Sequence, residues 1–151
     1  RTKMGFIFQQ PAMLKNLNLL DNIILPAALG GRRAAAGSVQ KAKALMKEMG
    51  IGGLEHRDTR AVSGGQLQRA GICRALMNHP ALILADEPTG NLDSKTSREV
   101  IALLHGMSRK YRQSVLMITH NMNIAADADR VFRVTDGCLE EVNSGREAFH
   151  E

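Results

Sequence analysis

The chain has 151 residues, 44% of them apolar and 23% charged, with a formal net charge of +5. That balance supports the core of one domain, or a large piece of one, and excludes a disordered chain. Aromatic residues make up only 3%, Trp is absent, and the two cysteines, Cys73 and Cys138, fit neither a disulfide framework nor a zinc spacing; base-stacking nucleic-acid modules are disfavoured and a reducing compartment is favoured.

No apolar run approaches the length of a membrane span, and no signal peptide is visible. Charge is uneven: residues 1–80 carry 12 Lys/Arg against 4 Asp/Glu, and residues 81–151 carry 8 against 11. A basic half can suit an anionic partner, but a solvated Arg-rich helical surface is the simpler reading. The chain begins at Arg1, close to a strand-like run at Gly5 to Phe8, so a piece of a longer domain is expected. Residues 11–37 hold Pro11, Pro26, Gly30, Gly31 and Gly37 between short apolar runs, which predicts no long element there. Ser38 is expected to cap a helix whose apolar face is Val39, Ala42, Leu45, Met46 and Met49, with Gly50 ending it. Residues 51–62 read as a loop. A second helix is expected from about Gly65 to Asn78, stopped by Pro80. Cys73 falls within it among apolar residues and reads as a packed core thiol.

The second half alternates strand and helix. Ala81 to Ala85 is a continuous apolar run ending in Asp86-Glu87, the pattern of a strand covered on both faces. A helix follows over about 95–111, with Val100, Leu103, Leu104, Met107 and Tyr111 as its buried stripe and Asp93 or Ser94 as its cap. Ser114 to Ile118 is a second apolar strand, ending at Thr119-His120. This β-α-β unit predicts parallel strands. Residues 131–142 read as a hairpin around Asp136-Gly137.

Ligands of open α/β sheets bind at the carboxyl ends of the strands. Asp86-Glu87 and His120 occupy such ends. In nucleotide hydrolysis an Asp there can hold Mg²⁺, and an adjacent carboxylate can orient and deprotonate the attacking water; two carboxylates solvated in a turn are the simpler alternative. Ser63-Gly64-Gly65-Gln66 precedes a helix, where glycine amides, the helix dipole and the Ser63 hydroxyl could grip a phosphate. An ordinary helix cap at Ser63 explains the same residues. The other histidines, His56, His79, His105 and His150, form no ligand pattern.

Val62-Ser63-Gly64-Gly65-Gln66-Leu67-Gln68-Arg69, followed by Ala81 to Asp86 and Glu87-Pro88-Thr89-Gly90-Asn91-Leu92-Asp93, resembles the ATPase domain of ABC transporters. Phe8-Gln9 resembles that family's glutamine loop, and His120 stands where the family places its switch histidine. The Gly90 to Asp93 and Asn22 to Pro26 stretches are most similar to the lipoprotein-releasing, macrolide-exporter and antimicrobial-peptide-exporter branch. The resemblance implies an α/β fold of the P-loop NTPase class, a parallel sheet with a helical subdomain. Residues 10–80 would be the helical subdomain and residues 81–151 the end of the catalytic core. It implies ATP and Mg²⁺ as cofactors. Gln9 would contact Mg²⁺ and the attacking water. Ser63, Gly64, Gly65 and Gln66 would bind the γ-phosphate of ATP held by an opposite subunit. Asp86 would support Mg²⁺, Glu87 would be the general base, Asp93 would lie in the loop that crosses the dimer interface, and His120 would contact the γ-phosphate. The implied partners are a second ATPase subunit and membrane-spanning permease subunits, not nucleic acid, at the cytoplasmic face of the membrane. Val62 stands where the family more often has Leu, a conservative change.

One departure is larger. The phosphate loop G-x-x-x-x-G-K-[ST] is absent from the 151 residues. In the family that loop precedes the glutamine loop, together with an aromatic residue that stacks on adenine. The chain is therefore expected to be the C-terminal two-thirds of such a domain, with its N-terminal β-region missing. As such it is not expected to hydrolyse ATP, unlike an intact parent. A non-hydrolysing module that lends its signature motif to an intact partner is the alternative. The ATPase heads of DNA-repair proteins are disfavoured, because no heptad run interrupts the chain.

Overall fold

Alternation of apolar residues at the start of the chain builds β1 (Met4–Ile7), which pairs in parallel with β2 (Leu82–Asp86) from Met4↔Leu82 to Ile7↔Ala85. The strand β3 (Ser114–Ile118) flanks β2 on its other side, giving the order β1-β2-β3. The computed structural model describes residues 4–29 and 37–142. By internal packing the chain divides into two units, Arg1–Met117 and Ile118–Glu151.

In the first unit, α1 (Leu19–Leu29) forms where no long element was expected, with Pro26 inside its last turn. The proline removes one N–H from the ladder. Burial of Leu19, Leu20 and Ile23 outweighs that loss. The fully buried Asn22 adds to it: its amide nitrogen donates to the carbonyls of Leu14 at 3.0 Å, Leu17 at 3.1 Å and Asn18 at 3.0 Å, and its oxygen accepts from the Leu14 amide at 2.7 Å. One side chain thus satisfies the turn that enters the helix. Local Pro and Gly signals carry no information about such a network, and tertiary packing overrides local propensity.

The next helix, α2 (Gly37–Glu48), begins before Ser38, so that serine lies in the first turn and not at the cap. Ala42, Leu45, Met46 and Met49 are buried as the spacing predicts, whereas Val39 faces solvent. Its end is built by Gly50 at φ 69°: the Gly50 amide donates to Lys47 and the Ile51 amide to Met46, a Schellman pair that also packs Ile51 beside Met46 in the core. A single 3₁₀ turn at Thr59–Ala61, capped by Asp58, interrupts the expected loop.

The central element is α3 (Gly64–Leu76), which packs against α1, α2, β1 and α4 (Ser94–Lys110). Ala70, Gly71, Ile72, Cys73 and Leu76 are buried on it. Burial pushes the Cys73 thiol well above the ordinary range, so it stays protonated and acts as a small apolar group. On α4, Val100, Leu104 and Met107 are buried, with Leu103 and Tyr111 partly buried against the same core. Arg69 links three helices, donating to the Met49 carbonyl at 3.2 Å and pairing with Glu99 at 2.9 Å.

Among the described residues the sheet is not covered on both faces, although the continuous apolar run of residues 81–85 suggested that for its strand. Ile7, Ile83 and Ala85 turn into the core, and Val115 and Met117 pack against it. Alternate residues lie on the opposite face, where Phe6 is 47%, Leu116 57% and Ile118 65% exposed. Helices cover only one face among the described residues, so the period-2 alternation of burial appears despite an unbroken apolar sequence.

The second unit holds the short helix α5 (Met122–Ala125) and a hairpin of β4 (Val131–Thr135) with β5 (Cys138–Val142). Its turn is Asp136-Gly137, both at positive φ (49° and 79°), as the sequence predicts for a type I′ turn. Arg130 stacks on Phe132 and forms a two-pronged ion pair with Glu141 at 2.7 and 2.9 Å. Among the described residues no helix is long and apolar enough to cross a membrane.

Two outcomes are expected. The 151-residue chain alone should aggregate or melt broadly, because the open sheet face presents contiguous apolar side chains; calorimetry and a hydrophobic dye check this, and a sharp two-state monomer melt contradicts it. Asn22→Ala should leave several buried backbone groups unpaired, a cost of about 2–3 kcal/mol. Hydrogen exchange across residues 14–22 should then accelerate by roughly 30- to 100-fold.

Candidate functional site

The parallel register fixes the first relation. Beyond the last pair, Ile7↔Ala85, two further residues on each strand are Gln9 and Glu87. Both therefore emerge at the same carboxyl edge of the sheet. Asp86 ends β2 and is exposed; Glu87 is half-buried and has φ 44°. A positive φ is costly for a residue with a Cβ. It turns the chain sharply out of the strand into a tight turn, in which the Gly90 amide donates to the Glu87 carbonyl at 3.0 Å and the Leu92 amide to Thr89 at 3.0 Å.

Gly90 lets the glutamine approach. A Cβ there would lie 2.6 Å from Gln9 Nε2. Gln9 is also held by longer contacts, its Nε2 donating to Asn91 Oδ1 at 3.4 Å and its carbonyl accepting from Asn91 Nδ2 at 3.5 Å. These weak bonds leave the Gln9 side chain exposed and able to reorient.

Ser63 caps α3 through a complete capping box. The Ser63 hydroxyl accepts from the Gln66 amide at 3.3 Å, and Gln66 Oε1 accepts from the Ser63 amide at 2.9 Å. The ordinary cap considered from sequence is therefore present. It does not exclude an anion site: the box engages neither glycine amide, and a hydroxyl that accepts retains its own proton to donate. The glycine pair packs on the segment after Gly90. A Cβ on Gly64 would meet Leu92 at 3.5 Å, and one on Gly65 would meet Thr96 Cγ2 at 2.6 Å. Any side chain at position 65 would force that contact apart.

Asp93 caps α4. Its carboxylate accepts from the amides of Lys95 and Thr96, each at 3.0 Å, and from the Thr96 hydroxyl at 2.6 Å. The hydrogen bonds from Thr96 are the main reason its carboxyl is held below the usual range, so it is ionised at neutral pH.

The first unit thus brings together Gln9, Asp86, Glu87, Asp93 and Ser63 to Gln66 through one series of contacts. His120 follows β3, is exposed, and belongs to the second unit. Sequence reasoning missed Asn91 and Thr96 as the neighbours of Gln9 and Gly65, and passed over Gln68. The signal for Gln68 was present: a polar residue three and four positions before the buried Gly71 and Ile72. Among the described residues no group of three or more His, Cys, Asp and Glu could hold a metal ion. Asp86 is a carboxylate of the kind that suits Mg²⁺, which is held through one or two carboxylates, with phosphate oxygens and water completing its shell.

Comparison with known proteins identifies the family. The family profile described as ABC transporter matches residues 1–90. The macrolide export ATP-binding/permease protein MacB of Rhodopirellula baltica is 40% identical over 91% of the chain and 20% of its own length. The lipoprotein-releasing system ATP-binding protein LolD of Rickettsia bellii is 37% identical over 90% of the chain and 61% of its own length. The chain thus spans less than two-thirds of these relatives. Among solved structures, the ATP-binding cassette MJ0796 in a dimeric post-hydrolysis state bound to ADP and Pi superposes with a TM-score of 0.79 at 34% identity, over 93% of the chain and 63% of that structure. With its matching profile, these relatives and this fold, the chain belongs to the ABC transporter family.

Proposed function

We propose that the chain is part of the ATP-binding, ATP-hydrolysing subunit that powers an ABC membrane transporter, an exporter or a lipid or lipoprotein extractor. Residues 10–80 form its helical subdomain and residues 81–151 the end of its catalytic core. The names of MacB and LolD support that direction of transport. The observation that carries the reading is the common emergence of Gln9 and Glu87 at one sheet edge, with the Gly64-Gly65 pair packed on the segment that follows.

In this reading the Glu87 carboxylate accepts the proton of the attacking water, and the Gln9 amide orients that water. Asp86 and Gln9 hold Mg²⁺, whose contribution when bound is to neutralise charge on the phosphates. Ser63, Gly64, Gly65 and Gln66 present a hydroxyl, two unengaged glycine amides and a helix N-terminus to the γ-phosphate of ATP on a second ATPase subunit. Asp93 lies in the loop facing that subunit, and His120 supplies a further contact to the γ-phosphate. The partners are that second subunit and membrane-spanning permease subunits, at the cytoplasmic face of the membrane; no nucleic acid is involved. A second reading is a non-hydrolysing module. In it, the chain donates its signature motif to an intact partner and hydrolyses nothing.

Calorimetry on the 151-residue chain should give no MgATP binding tighter than a Kd of about 10 μM, or roughly −7 kcal/mol. In the product of the complete reading frame, Glu87→Gln should retain ATP binding and favour an ATP-bound dimer. Its turnover should fall about 10²–10⁴-fold, because an amide cannot take the proton. Ser63→Arg should break the capping box and crowd the phosphate approach, so that dimerisation fails while monomer binding persists. Size-exclusion chromatography with ATP and a phosphate-release assay read both; Glu87→Gln turnover above about a tenth of the parent rate removes Glu87 as the base.

A further inference from the structure

The segment that carries Gln9 is gripped from below by α3. Gln68 is only 2% exposed, and its Nε2 donates to the carbonyl of Phe8 at 3.0 Å. Three residues on, Gly71 is buried against Pro11, where an added Cβ would meet Pro11 Cβ at 3.2 Å. Three residues further, Arg74 Nη1 donates to the carbonyl of Ala12 at 2.6 Å. Residues 68, 71 and 74 form one i±3 ridge of the helix. They engage residues 8–12 through two backbone carbonyls and one proline ring, on both sides of Gln9. Gln9 is one Cα–Cα step, about 3.8 Å, from the first tether. By contrast, its own side-chain contact to Asn91 is long, at 3.4 Å.

We propose that Gln68, Gly71 and Arg74 are positioning residues that fix Gln9 to the helix whose N-terminus carries Ser63 to Gln66, so that a displacement of the signature motif is passed to Gln9 through the Phe8 and Ala12 carbonyls. The amide of Gln68 is the most enclosed donor of this linkage, because Gln68 itself is buried, and its removal leaves the Phe8 carbonyl without its side-chain partner. The hydrogen bonds to Phe8 and Ala12 are to their carbonyls, so these two tethers read backbone position. The coupling to catalysis rests on the roles given above to Gln9 and the signature motif; the mechanical grip does not.

The test uses the product of the complete reading frame, with Gln68→Met, which keeps length and loses the donor, and with Arg74→Met against Arg74→Lys, which restores a donor to Ala12. Hydrogen exchange is read first, without nucleotide. Gln68→Met and Arg74→Met should raise exchange across residues 9–14 while peptides within residues 66–76 keep parent rates, and Arg74→Lys should recover protection; unchanged exchange at 9–14 overturns the grip. Steady-state ATP turnover is read second. Gln68→Met should lower kcat about tenfold with KM for ATP within about twofold, and combining it with Gln9→Ala should be no worse than Gln9→Ala alone. Additive losses, or a parent-like kcat for Gln68→Met, overturn action through Gln9. A Glu87→Gln control separates the two levels: if that variant keeps turnover, the catalytic reading fails while the exchange result still decides the grip.

Discussion

The constraint on which the first unit depends is the close packing around α3. Four elements meet one helix of 13 residues, and that is possible because its buried positions are mostly small or slim: Ala70, Gly71, Cys73 and Ala75 beside Ile72 and Leu76. Small residues bring neighbouring backbones near, and the contacts then include carbonyls as well as side chains. A helix packed in this way cannot shift alone. Its N-terminus holds the glycine pair, its middle holds the segment of Gln9, and its C-terminus is held by Lys41, whose ammonium donates to the carbonyls of Leu76 and Met77. Dispersion and apolar burial fix the helix; polar groups at its ends and along one ridge connect it to the site.

Electrostatics at the site are built from neutral groups more than from charges. The Gln66 and Ser63 box uses acceptor oxygens of both side chains and leaves the glycine amides and the hydroxyl proton for a ligand. Asp93 spends its carboxylate on Thr96 and Lys95, which makes the start of α4 rigid just where Gly65 packs on Thr96. Asp86 and Glu87 are the carboxylates at the end of β2, and among the described residues neither belongs to a group of three or more His, Cys, Asp and Glu that could hold a metal. Such an edge is suited to a ligand that brings its own charge, which is what a triphosphate does.

Much of this was legible in the sequence because the signals were local. The Ser63 cap, the Gly50 stop, the Asp136-Gly137 turn and the stripe of α4 each depend on a few neighbouring residues whose physics is short-ranged. The ends of β2 and β3 were visible for the same reason. What escaped reading depends on partners distant in the chain. Pro26 looked like a breaker because its neighbours do not announce the packing that buries Leu19, Leu20 and Ile23. The apolar strand at 81–85 looked doubly covered because hydrophobicity records what a face can bury, not which helices lie over it. Gln68 drew no packing role because its partner, Phe8, is sixty residues away.

The backbone at Glu87 has a wider implication. A Glu at φ 44° occupies a region where Gly would sit without penalty and Asn with little, and the difference is of order 1 kcal/mol or more. A search of substitutions for greater thermal tolerance, blind to chemistry, would therefore reach this position early and prefer to replace the acid. On the role proposed for Glu87, robustness and turnover pull in opposite directions at this one residue, so the most durable version of this fold would be a silent one.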